Sequence, residues 1–137
     1  MKTDTYIFEN DITVFCKKAE SFPDKVKEAF KYIHSLAPFD DRRMQLGLSK
    51  ILPNGDLAYW AGCTEHIKGE FEAFDLEKII IPKGAYVFLQ VQNYMDDITT
   101  IGEAFKMLMA QEPVEADPMG IEWYVSMQEV YCMLKKP

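Results

Sequence analysis

Apolar positions along this chain switch repeatedly between a two-residue period, the mark of strands, and a 3.6-residue period, the mark of helices. Residues 5–18 read as one strand or two, broken at Asn10-Asp11, with Ile12, Val14 and Cys16 alternating against Thr13, Phe15 and Lys17. From Ser21 the spacing becomes helical. Pro23 is tolerated in the first turn, Asp24 suits the N-terminal end of the dipole, and Val26, Ala29, Phe30, Ile33 and Leu36 form the apolar stripe, up to a stop at Ala37-Pro38. A second strand alternates Met44, Leu46 and Leu48 with Gln45, Gly47 and Ser49, and Asn54-Gly55 supplies the positive φ of a tight hairpin. The returning strand, Leu57 to Cys63, puts Trp60 on one face with Ala58 and Gly62, leaving room beside the indole that a ligand can use.

Residues 64–78 are charged and aromatic without a clear period and read as a connector. After it come a short strand at Lys78 to Ile81, a turn at Pro82-Lys83-Gly84, and a strand with Ala85, Val87, Leu89 and Val91 on one side and Tyr86, Phe88, Gln90 and Gln92 on the other. A second helix is expected from about Asp96-Asp97, with Ile98, Ile101, Ala104, Phe105 and Leu108 on its stripe and Gln111-Glu112-Pro113 at its end. Gly120 to Met127 then reads as a strand with Ile121, Trp123, Val125 and Met127 on a wholly apolar side and Glu122 and Tyr124 on the other. Gln128 to Leu134 closes the pattern with one more strand.

The two helical segments share a tetrapeptide, Glu28-Ala29-Phe30-Lys31 and Glu103-Ala104-Phe105-Lys106, and each follows a strand containing Val-Phe. Each half reads strand, helix, strand, strand. The expected fold is therefore α+β in a single domain over 1–137. Two pseudo-twofold βαββ units (about 5–63 and about 79–135, connector about 64–78) form a curved antiparallel sheet, with both main helices on one face and a ligand groove on the other. If the aliphatic side of every strand packs under the helices, the opposite face collects Phe15, Gly47, Trp60, Tyr86, Phe88, Glu122 and Tyr124, with Tyr131 or Met133 at its edge. Such an aromatic basin with one carboxylate suits a flat, lipophilic cation, since ring faces attract positive charge by about 0.5–2 kcal/mol each. The same residues also fit rings that cover one another or a protein contact, with Glu122 solvated. A third use of Glu122 is as a general base in a small hydrolase, with Tyr124 or Tyr59 polarising the substrate.

Composition narrows the classes. The 137 residues carry a formal charge of -7, with 48% hydrophobic and 27% charged residues. That is ordinary globular composition. The acidic balance, with no basic run longer than a pair, argues against direct nucleic-acid binding and favours neutral or cationic partners. No apolar run reaches the length of a membrane span, so a cytoplasmic protein without a membrane partner is expected. Cys16, Cys63 and Cys132 are widely spaced without a Cys-x-x-Cys pair, and His34 and His66 both fall at surface positions. Neither a metal site nor a disulfide framework is expected, and no phosphate loop, nucleophile motif or cofactor fingerprint is present. The expected reading is of a protein without a cofactor.

Three stretches together resemble the GyrI-like small-molecule-binding domain, the effector-binding domain of AraC-type and other bacterial transcription activators. They are Tyr59-Trp60-Ala61-Gly62-Cys63, Ile81-Pro82-Lys83-Gly84-Ala85-Tyr86-Val87-Phe88 and Gly120-Ile121-Glu122-Trp123-Tyr124. The resemblance implies the paired βαββ fold, a ligand groove between the units, and recognition of cationic, aromatic compounds by the acid at Glu122, as in multidrug-sensing members. It also implies a stand-alone form without a DNA-binding domain. Among stand-alone relatives some are gyrase inhibitors, which raises a separate regulatory protein partner, and some hydrolyse reactive small molecules.

Overall fold

The structure, a computed structural model, describes residues 2–38 and 40–137. Its elements run β1 (Asp4–Phe8), β2 (Ile12–Lys18), α1 (Val26–Leu36), β3 (Gln45–Ile51), β4 (Leu57–Cys63), β5 (Glu77–Ile81), β6 (Gly84–Gln92), α2 (Thr99–Gln111), β7 (Gly120–Tyr124) and β8 (Glu129–Lys135). All strand pairs are antiparallel, and the sheet order is β1-β6-β8-β7-β3-β4-β2-β5. The fold is α+β with the repeated order the pattern predicts. In the sheet, β2-β4-β3 of the first unit meets β7-β8-β6 of the second through the β3–β7 pair. Each unit's leading strand crosses over, so that β1 pairs with β6 and β5 with β2. The halves are thereby bound at three places.

Both helices lie on one face. Ala29 and Ile33 of α1 pack with Phe15, Tyr59, Ala61 and Cys63, while Ile101, Ala104 and Leu108 of α2 pack with Val87, Leu89, Val130 and Cys132. Their spacing of three or four residues places these side chains on one stripe of each helix. The first helix starts at Val26 rather than at Ser21, because Ser21 to Lys25 form turns in which Ser21 O accepts from Lys25 N–H and Pro23 O from Val26 N–H. The second starts at Thr99, just after Asp97, whose Oδ1 accepts from the Thr99 amide and hydroxyl. Both ends are closed by backbone bonds, Ala37 N–H to Ile33 O and Glu112 N–H to Leu108 O.

Among the described residues no helix covers the opposite face, which is nevertheless buried. Phe8, Val14, Cys16, Leu46, Leu48, Ile81, Tyr86, Ile121 and Met133, drawn from seven strands, form one cluster there. Residues near both edges of the sheet meet in that cluster, so the sheet curls into a half-barrel whose interior is filled by its own side chains. At one end Lys83 N–H donates to Asp11 Oδ1, joining the β1–β2 and β5–β6 turns across the opening. The space beside Trp60 is occupied: a Cβ built on Gly62 would sit 2.7 Å from Val14 Cγ1 and 2.8 Å from Cys16 Cβ. All three cysteines are free and buried.

Candidate functional site

Helix α1 packs on β2 and β4, and α2 on β6 and β8, which leaves β3 and β7 at the floor between them. Register decides what that floor carries. Glu122 pairs with Gly47 on one side and with Cys132 on the other, and Cys132 belongs to the α2 core. Glu122 therefore lies on the helix face, at the middle of the pseudo-twofold pair of strands.

Glu122 is only 8% exposed. Its Oε1 accepts two hydrogen bonds from phenols, Tyr59 Oη at 2.8 Å and Tyr124 Oη at 2.5 Å. The arrangement depends on the residue opposite. A Cβ on Gly47 would fall 1.9 Å from Tyr59 Oη and 3.0 Å from Glu122 Oε1, so glycine there makes the space in which phenol and carboxylate meet. Burial pushes the Glu122 carboxyl above its ordinary value, against the two phenols that favour the anion. Tyr59 and Tyr124 are both pushed up, first by burial and then by Glu122 itself. They remain neutral donors.

Aromatic side chains roof this group. Phe30 of α1 lies edge-on to Tyr124 with centroids 5.7 Å apart and 6.1 Å from Tyr59, Tyr94 lies 5.3 Å from Tyr124, and Phe22 lies 5.6 Å from Tyr59. Phe105 of α2 reaches Gly120, where a Cβ would come 3.4 Å from the Phe105 ring. Phe30 and Phe105 are the repeated phenylalanines of the Glu-Ala-Phe-Lys segments, and each faces the middle of the sheet from its own helix. That repeat was the available signal for them; within a helical stripe they read simply as core.

The sequence-derived residues divide between two faces. Phe15, Gly47, Glu122, Tyr124 and Tyr59 do share the helix side, although Phe15 packs at a tilt on Phe71, at 5.3 Å, under α1. Trp60, Tyr86 and Phe88 do not join them. They lie on the concave face with Tyr131 and Met133, where Phe88 packs on Tyr131 at 4.8 Å and Tyr86 packs edge-on to Phe8 at 5.2 Å. Tyr86 Oη donates to Pro82 O, and Trp60 Nε1 donates to Glu77 Oε1. The strand carrying Glu122 also ends at Tyr124 rather than Met127, since Val125 and Ser126 turn into a loop closed by their amides on Glu129 O.

Two polar residues on β3 or just before it escaped the sequence reading. Arg43 makes a bidentate pair with Glu70 of the connector, at 2.8 and 3.1 Å, and its guanidinium lies over Phe71. Gln45, 3% exposed on the Gly47 side of the strand, has no partner among the described residues for either its amide nitrogen or its amide oxygen. An unsatisfied buried polar group costs about 1–3 kcal/mol. Beside it a depression of about 320 Å³ is lined by Asp40, Arg43, Met44, Thr64, Trp123 and Tyr124, among others. Tyr124 is shared between this depression and the Glu122 carboxylate. Among the described residues no cluster of three or more metal-ligating side chains occurs, and no helix is long and apolar enough to cross a membrane.

No protein-family model matches the chain, and no curated protein does. Solved structures do. An integron cassette protein from the mobile metagenome of Vibrio cholerae superposes with a TM-score of 0.69 at 13% identity, covering 97% of this chain and 94% of that one. A Staphylococcus aureus MU50 protein provisionally assigned to bacterial transcription regulation gives 0.60 at 12% identity, with 98% and 99% covered. A hydrolase from Listeria innocua gives 0.56 at 8% identity, with 97% and 90% covered. At these identities the likeness is one of fold.

Proposed function

We propose that this protein is a small-molecule-binding module of the GyrI-like, effector-binding type, taking a hydrophobic cationic or aromatic ligand against Glu122 between the two helices. The buried carboxylate, bonded by two phenols and roofed by Phe30 and Tyr94, supports this reading. An ionised glutamate in such a place is costly unless paired, and a ligand cation supplies the partner while the ring faces add their own attraction. With Glu122 this closed, binding requires the aromatic roof to part. The fold it shares with a protein assigned to transcription regulation is in keeping with a sensing role. Fluorescence titration of wild type and Glu122→Gln with crystal violet, a cationic aromatic dye, tests it. The substitution should weaken binding at least tenfold, a change of about 1.4 kcal/mol; equal affinities would refute the role of the acid.

The phenol–carboxylate contacts favour a second reading, hydrolysis of a reactive small molecule. Burial raises the Glu122 carboxyl and makes its anion a stronger base than an exposed glutamate, and Tyr59 or Tyr124 would polarise the substrate. Mass detection of hydrolysed product from a panel of epoxides and activated esters is its test. Turnover lost in Glu122→Gln supports it, and a panel without turnover removes it.

A further inference from the structure

We propose that Gln45 is a second polar reader of the same site, and that the ligand carries an amide-like donor–acceptor group about one two-residue strand step, roughly 7 Å, from the group held by Glu122. The inference rests on the binding reading above and adds the ligand's second pole. Gln45 lies on the helix face of β3, two residues from Gly47, the residue opposite Glu122. Its neighbours on the chain, Arg43 and Met44, and its cross-strand partner Tyr124 line the 320 Å³ depression, whose lining includes neither Gln45 nor Glu122 itself, so a ligand reaches both groups only when the aromatic roof parts. Both ends of its amide are buried without a partner among the described residues, and so is Nε of Arg43 beside it. A buried glutamine left open at donor and acceptor together is matched by a group offering the complementary pair, as a carboxamide, lactam or carbamate does. A leucine or methionine would fill the same volume without the polar cost, so the amide is explained by what it recognises. The chemical class is thus an aromatic amine or ammonium bearing an amide across one ring.

Two probes separate the poles. In 4-(aminomethyl)benzamide the ammonium and the amide stand at opposite ends of a para-substituted ring, and 4-isopropylbenzylamine keeps the ammonium and ring but has no amide. NMR shift titrations of wild type, Gln45→Met and Glu122→Gln with both compounds should give three results. Wild type favours the amide compound about tenfold. Gln45→Met loses that preference while still binding the isopropyl compound, and Glu122→Gln weakens both. If wild type binds the two equally and Glu122→Gln still weakens both, the role of Gln45 fails and the cation reading stands. If wild type binds neither, both fail. A readout without ligand completes the test: Gln45→Met should raise the Tm by a few degrees, since it removes an unpaired buried amide. A lowered Tm would mean the amide already has its partner within the folded protein, and would overturn the proposal.

Discussion

Gly47→Ala is the sharpest probe of the site because the structure states what the added methyl meets. The new Cβ would fall 1.9 Å from Tyr59 Oη, 2.8 Å from Tyr59 Cζ and 3.0 Å from Glu122 Oε1. Tyr59 is 2% exposed and flanked by Phe22 and Phe30, so its ring can retreat only by displacing a neighbour. Overpacking a core position costs about 1–3 kcal/mol. Displacing the phenol also breaks its bond to the buried carboxylate, worth about 1.5–3 kcal/mol for a hydrogen bond to a charged group. The two effects together predict a loss of about 2.5–6 kcal/mol, read as a fall in the urea midpoint at unchanged m-value. Tyr59→Phe alone should cost only the hydrogen bond. In the double mutant the contact with Oη no longer exists, so the two losses should fall short of additivity by at least about 1 kcal/mol, with the remaining Cζ contact keeping rescue incomplete. A Gly47→Ala protein within about 0.5 kcal/mol of wild type, or strictly additive effects, would refute the packing described for the Tyr59–Glu122 bond.

Other expectations follow from the same geometry. The Glu122 carboxyl is raised by burial, so the folded protein holds this proton to higher pH than the unfolded chain does. Its contribution is therefore greatest below the ordinary value of 4.5 and is lost as pH rises through the folded value. Glu122→Gln, whose amide oxygen still accepts from both phenols, should accordingly gain stability on wild type as pH rises and lose that advantage in acid, as followed by urea midpoints from about pH 4 to pH 8. Phe88→Leu, on the concave face, should leave the affinity for crystal violet within about twofold while lowering the Tm; a large loss of affinity would place the ligand on the wrong side of the sheet here. Glu70→Gln removes the charge opposite Arg43, whose side chain is 8% exposed, and one of the two acceptor oxygens it binds, and should cost about 1.5–3 kcal/mol with the connector opening first in hydrogen exchange. Leu108→Ala, in the fully buried α2 core, should cost about 2–5 kcal/mol in urea denaturation without changing the pH response of the site.

By itself the sequence determined the elements, their order and the doubling of the βαββ unit, because alternation, helical stripes and turn residues such as Asn54-Gly55 are local signals. It also singled out Glu122 and Tyr124, since a carboxylate beside a tyrosine on an otherwise apolar strand is visible as a break in pattern. Tertiary structure decided which face each strand turns to the helices. Alternation assigns an inside only when one face is wet, and here both are dry: the helices cover one, and the curled sheet closes on the other. On β6 the aliphatic side, Val87 and Leu89, lies under α2; on β7 the aliphatic side, Ile121, points into the half-barrel and Glu122 lies between the helices. Trp60, Tyr86 and Phe88 were accordingly parted from Glu122, while Phe30 and Tyr94, which pack on its phenol partners, and Gln45, which pairs with Tyr124, lie on its side of the sheet through contacts with residues far away in the chain.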